Sequence, residues 1–165
     1  MKTITIVSKT HGTHEVLVDD EDFDRVNQFK WFIHKRCNTL FYARTTICKE
    51  NGIKTCMYLH RFILNETNPK VFIDHIKHNG LDCRKSKMRL SSHQNNMRNR
   101  RPRKNVTSSF LGVYFDKQRG KWRGESSVNG KNIFLGRFDN EVDAAKAYND
   151  FAINNYGEFA SLNTI

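Results

Sequence analysis

Apolar and polar residues alternate strictly at the start of the chain. Thr3-Ile4-Thr5-Ile6-Val7 and Glu15-Val16-Leu17-Val18 have the period of two expected of half-buried strands, and His11-Gly12-Thr13 supplies the turn between them. The acidic run Asp19-Asp20-Glu21-Asp22 then opens a short helix, at the end where the helix dipole favours negative charge. Phe23, Val26 and Phe29 lie on one side of that helix. Lys30-Trp31-Phe32-Ile33 and Leu40-Phe41-Tyr42-Ala43-Arg44 predict a hairpin, and Thr55-Cys56-Met57-Tyr58-Leu59 predicts a further strand after Asn51-Gly52. A short apolar segment, His60-Arg61-Phe62-Ile63-Leu64, ends before Pro69.

The middle of the chain changes character. The apolar run Val71-Phe72-Ile73 leads into the adjacent carboxylate and imidazole of Asp74-His75, then into a polar loop with His78, Asn79, Gly80 and Asp82. Met88-Arg89-Leu90 reads as a second strand. A helix follows, with Ser91 and Ser92 as capping candidates and Asn95, Asn96 and Asn99 along it. The order is strand, loop, strand, helix. Beyond it, Arg101-Pro102-Arg103-Lys104-Asn105-Val106-Thr107 is too polar to pack, and its proline ends the preceding helix.

The C-terminal part alternates again, from Phe110 to Phe115, through Lys121-Trp122-Arg123, and past the hairpin signal Asn129-Gly130 into Asn132-Ile133-Phe134-Leu135-Gly136. Three antiparallel strands are predicted. Asp139 or Asn140 caps a helix whose stripe is Val142, Ala145, Tyr148 and Ala152, and Gly157 ends it. The period of two turns Val113, Phe115, Trp122, Val128, Ile133 and Leu135 toward the helix. It turns Tyr114, Arg123, Glu125, Ser127, Asn132 and Phe134 away. The expectation is an α+β chain with a β-rich N-terminal platform over 1–55, a strand–loop–strand–helix unit over 56–100, a basic linker over 101–107, and a three-stranded sheet packed on one helix over 108–165.

Charge sharpens this division. Net charge is +11, and its excess is local. Residues 74–106 carry 10 Lys/Arg against 2 Asp/Glu, whereas residues 107–165 carry 7 of each. No acid occurs from Cys83 to Phe115. Such a block reads as a stripe facing phosphates, with Arg84, Arg89, Arg98, Arg100, Arg101, Arg103 and Lys104 as contacts. No apolar run reaches transmembrane length, and the N-terminus lacks a signal-type stretch, so a cytoplasmic protein without a membrane partner is expected. Cys37, Cys48, Cys56 and Cys83 have no spacing typical of a zinc site, and no zinc is expected. His60, His78 and His93 read as solvated or structural.

A carboxylate beside a histidine, with an amide oxygen returning on a helix, suits a hard cation and a proton-accepting imidazole. Asp74-His75, Asn79, Asp82, Arg84, Arg89, Asn96 and Asn99 together resemble the HNH endonuclease motif, a ββα unit that grips one divalent metal against a DNA phosphate. That resemblance implies His75 as general base, Asp74 and Asn96 as metal ligands, and Asn79, Asp82, Lys87 and Asn99 as positioning residues. Cys83 and Lys87 stand where the family usually has asparagine, and lysine donates but cannot accept. The metal expected is magnesium, which takes few protein ligands and keeps several waters.

The C-terminal unit resembles the plant APETALA-type, or ethylene-response-factor, DNA-binding domain through Gly112-Val113, Gly120-Lys121-Trp122, Leu135-Gly136, Phe138, Ala144-Ala145, Ala147-Tyr148, Gly157 and Leu162-Asn163. The resemblance implies DNA contact through the outer sheet face, with Tyr114, Lys121, Arg123, Glu125 and Asn132 as candidates. The combination resembles free-standing, phage-type homing endonucleases acting in an infected bacterial host. It implies a monomer that hydrolyses double-stranded DNA. The alternative is an HNH-derived chain that binds DNA as a regulator without cutting it.

Overall fold

The computed structural model describes residues 1–37, 39–48, 52–99 and 107–165. The basic segment expected to link the two halves, with Arg100, Arg101, Arg103 and Lys104, lies outside the described residues apart from Thr107. The fold is α+β, made of small antiparallel sheets and few helices. It divides into two compact units, Met1–His93 and Gln94–Ile165.

In the first unit, β1 (Lys2–Ser8) and β2 (Gly12–Val18) form an antiparallel pair that places Ile4 opposite Val16 and Ile6 opposite His14. The helix α1 (Asp20–Asn27) follows, with its acids in the first turn. It ends before Phe29, which packs edge-on against Trp31 and Phe62 from the segment beyond. A three-stranded sheet comes next, in the order β3 (Phe32–Cys37), β4 (Leu40–Cys48), β5 (Lys54–Tyr58). The short helix α2 (Leu59–Ile63) continues directly from β5. Then β6 (Phe72–His75) pairs with β7 (Met88–Ser91), with Asp74 opposite Arg89 and His75 opposite Met88.

One core serves this whole unit. Ile6, Val16, Val18, Val26, Trp31 and Ala43 from the N-terminal strands and helix pack with Leu59, Ile63, Cys83 and Met88. The platform over 1–55 and the hairpin beyond it therefore share their hydrophobic burial, the dominant favourable term in folding. The burial of Cys83 pushes its thiol up to about 12, so it stays a neutral core side chain.

The helix α3 (His93–Arg98) follows β7. Asn99 sits just beyond its last turn, where its N–H still reaches the Asn95 carbonyl at 3.2 Å.

In the second unit, β8 (Val113–Asp116), β9 (Lys121–Val128) and β10 (Lys131–Phe138) form an antiparallel sheet in the order β10-β9-β8. Its inner face meets α4 (Glu141–Tyr156) through Val113, Ala144 and Ala145 with Trp122 and Phe138, and through Leu111, Tyr148 and Ala152 with Val128 and Leu135. Asn140 caps α4 by accepting a hydrogen bond from the Asp143 N–H at 2.8 Å. Asn129 and Gly130, both at positive φ, make the turn between β9 and β10. Asn163 ties down the C-terminus, accepting from the Leu111 N–H at 2.6 Å and exchanging bonds with Asn149.

One irregularity changes the faces of β10. The register shifts between Phe134, opposite Glu125, and Gly136, opposite Gly124. A bulge of this kind inserts one extra residue and reverses the alternation beyond it. Arg137, which strict alternation turns inward, is thereby opposite Arg123 on the outer face.

Candidate functional site

Asp74 and His75 end β6, and both are buried, at 4% and 6% exposure. The backbone on either side of His75 is held. The Ile76 N–H donates to the Lys87 carbonyl at 3.0 Å, and the His78 N–H returns to the His75 carbonyl at 2.8 Å. His78 completes that turn at positive φ.

The loop from β6 to β7 is closed by several bonds. Asn79 Oδ1 accepts from the Leu81 N–H at 3.1 Å, and the Asn79 carbonyl accepts from the Asp82 N–H. The Leu17 N–H donates to the Leu81 carbonyl and the Cys83 N–H to the Leu17 carbonyl, both at 2.9 Å. These bonds make a parallel bridge between Leu17 and Asp82. Gly80 lies against β4, where an added Cβ would stand 2.4 Å from the Phe41 carbonyl oxygen and 2.7 Å from Tyr42 Cε1. Lys87 contributes its backbone carbonyl to this closure.

Two arginines expected to reach DNA are engaged inside the unit. Arg89 donates from Nε and Nη2 to Asp74 Oδ2 at 2.9 and 2.8 Å. Arg84 clamps Asp82 through both carboxylate oxygens, at 2.7 and 2.6 Å, and so holds the Asp82 carboxyl below its ordinary pKa. Both pairings are charge-assisted and strong for hydrogen bonds.

The surroundings of His75 are aromatic. Tyr42 from β4 lies 5.7 Å away between ring centroids, and His60 from α2 lies 5.3 Å away, nearly perpendicular. His60 in turn stacks on Tyr58 of β5 at 5.4 Å and meets Tyr42 edge-on. The N-terminal sheet thus lines the site as well as supporting it. Burial pushes His75 down to about 4, against the pull of Asp74 and Asp82. Burial and the neighbouring His75 push His60 down to about 3. Both imidazoles are neutral at neutral pH, the form that accepts a proton. His60 looked structural in the sequence because a histidine in an apolar helix carries no spacing signal; its place beside Tyr58 is the one local hint of burial among rings.

Asn96 lies midway along α3, half-buried, in the second compact unit. Asn95 Oδ1 accepts from Arg98 Nη1 at 3.0 Å, and the Arg98 guanidinium stands 4.9 Å from the Tyr156 ring centroid. A carboxylate and an amide oxygen are a donor set suited to a hard cation. Among the described residues no three His, Cys, Asp or Glu side chains gather as an ion site.

On the outer sheet face of the second unit, Tyr114, Arg123 and Arg137 form one cross-strand row. Arg123 pairs with Glu125. The Arg123 and Arg137 guanidinium groups lie 5.4 and 4.9 Å from the centroid of the exposed Phe134 ring. Lys121 pairs with Asp139, and Asn132 is exposed. Arg137 escaped the sequence reading because the bulge that turns it outward leaves no mark beyond Gly136.

The chain is similar to an HNH endonuclease. One relative is the uncharacterized HNH endonuclease L560 of Acanthamoeba polyphaga mimivirus, 27% identical over 166 residues that cover 98% of this chain and 80% of the relative. No family model matches the chain, and no solved structure does. No helix among the described residues is long and apolar enough to cross a membrane.

Proposed function

We propose that this protein is an HNH endonuclease that hydrolyses double-stranded DNA with a divalent metal, magnesium, at sites selected by its C-terminal unit. The observation that carries the reading is the buried Asp74-His75 pair at the end of β6, with β7 and α3 following in the order of a ββα unit. Similarity to a relative named for this activity supports it.

In this mechanism His75, neutral and fixed by the bonds flanking it, accepts a proton from the water that attacks phosphorus. Asp74 and Asn96 would hold the metal, which when bound supplies positive charge to the phosphate and the leaving 3′ oxygen. Arg89 orients the Asp74 carboxylate through Oδ2, and a carboxylate has lone pairs enough to serve both an arginine and an ion. The Arg100 to Lys104 stripe would bind phosphates, and the outer face with Tyr114, Arg123, Asn132 and Arg137 would read bases, in the manner of an APETALA-type domain.

One observation favours a second reading, that of an HNH-derived regulator that binds DNA without cutting. Arg89 places two hydrogen bonds on the Asp74 oxygen Oδ2, which would have to be shared with an ion. Incubation of the purified protein with supercoiled plasmid, in magnesium and in chelator, separates the two. Relaxed or linear product in magnesium alone supports the nuclease. Binding without product in either condition overturns it.

A further inference from the structure

His60 is an odd residue for its place. Its ring sits in a box made by Tyr58, Tyr42 and His75, a setting that phenylalanine would fill with the same shape. Its Nδ1 is buried and has no hydrogen-bond partner. A buried acceptor left unmet is destabilising, so the nitrogen costs the fold something that a phenyl ring would not.

We propose that His60 is a positioning residue for His75, and that its Nδ1 accepts the N–H that neutral His75 carries on the ring nitrogen opposite the one that takes the proton from water. The proposal rests on the reading of His75 as the base. The two rings are close, with centroids 5.3 Å apart at 89°, so a small rotation aims a nitrogen of one at the edge of the other. A base in a hydrolytic site is ordinarily oriented by a third group, and a histidine's second partner decides which way its ring faces. The stack on Tyr58 holds one face of the His60 ring. Water's oxygen bonds to phosphorus, its proton resides on His75, and the 3′ oxygen departs; His60 accepts a hydrogen bond and no proton.

The test compares three variants of the full chain, His60→Phe, His60→Asn and His60→Ala, in single-turnover cleavage of plasmid with magnesium at saturating protein. DNA affinity and the thermal midpoint are measured alongside. Asparagine places its side-chain oxygen close to where histidine has Nδ1, whereas phenylalanine keeps only the ring. His60→Phe is expected to lose about 10- to 100-fold in rate while keeping DNA affinity and raising the thermal midpoint. His60→Asn is expected to recover part of that rate despite packing less well. A His60→Phe protein that cuts as fast as the parent overturns the proposal and leaves a ring-packing role. So does a His60→Asn protein no faster than His60→Ala. His75→Ala is the control for the underlying reading: if it cuts at the parent rate, that reading fails, whatever the His60 variants do.

Discussion

Arg89 and Asp74 face each other across β6 and β7, and two nitrogens of the arginine bond the same carboxylate oxygen. Both side chains are largely buried, at 13% and 5% exposure. Removing one member of such a pair leaves a charge in a poor solvent. Arg89→Ala is expected to cost about 3 kcal/mol of stability in denaturant titration. A loss below about 1 kcal/mol, the range of an exposed pair, would show that water already screens Asp74.

Gly80→Ala should be far more damaging than its size suggests. The new Cβ meets the Phe41 carbonyl, which is backbone and cannot swing aside, as well as the Tyr42 ring. Overpacking of this kind costs about 1–3 kcal/mol. Because Tyr42 also touches His75, plasmid cleavage measured below the unfolding range should fall too. A variant with the parent's melting midpoint and cleavage rate would contradict the close approach.

Acid is expected to destabilise the protein through His60 and His75. Both have folded pKa values below the 6.5 of an unfolded imidazole, at about 3 and about 4. Below pH 6.5 the unfolded chain therefore binds more protons, and stability falls as pH falls, until the folded groups titrate as well. The slope is about 1.4 kcal/mol per pH unit for each fully titrating group. Chemical unfolding across pH 7 to 4.5 measures it. The slope should be shallower in His60→Phe, and an unchanged slope there would mean that His60 is charged in the folded state.

DNA affinity should fall steeply with salt, by about 0.9 log units per log unit of salt for each phosphate contact. Replacing Arg101, Arg103 and Lys104 together by glutamine should flatten that slope, whereas Arg84→Gln and Arg89→Gln should leave it unchanged, since those side chains are bound to Asp82 and Asp74. If the triple variant keeps the parent slope, the stripe is merely solvated.

Arg137→Gln is expected to change which DNA sequences are preferred, while Lys121→Gln changes little. Arg137 joins the outer row beside Arg123 and Phe134, and Lys121 is held by Asp139. Selection of bound sequences from a random pool, done for the parent and both variants, gives the comparison. Identical preferences in all three would remove Arg137 from base reading.

Much of this was legible beforehand because it rests on local rules. Alternation around Ile4, Ile6 and Val16 marked β1 and β2, and Asn140 with Gly157 bracketed α4, since capping and turn chemistry act over a few residues. The approach of Asp74 to Arg89 was hidden, because which residues oppose each other depends on register. So was His60 beside His75, which needs β5, α2 and β6 to share one core. Arg84 and Arg89 read as phosphate contacts because a run without acids looks unneutralised, yet Asp82 and Asp74 lie just outside the run and return to it through the loop and the hairpin.

The bridge from Leu17 to Asp82 has a consequence for how the molecule comes into being. It joins residues 65 positions apart, and pairings between distant segments form late because a long loop must first be closed. During synthesis the β1–β2 hairpin emerges early and waits as an open edge for a partner still to be made. The loop that carries Asp82 and Cys83 finishes that edge, so the buried Asp74-His75 pair takes its final surroundings only when segments from both ends of this unit have met. A piece cut out from residue 56 onward lacks the strand that its own loop leans on.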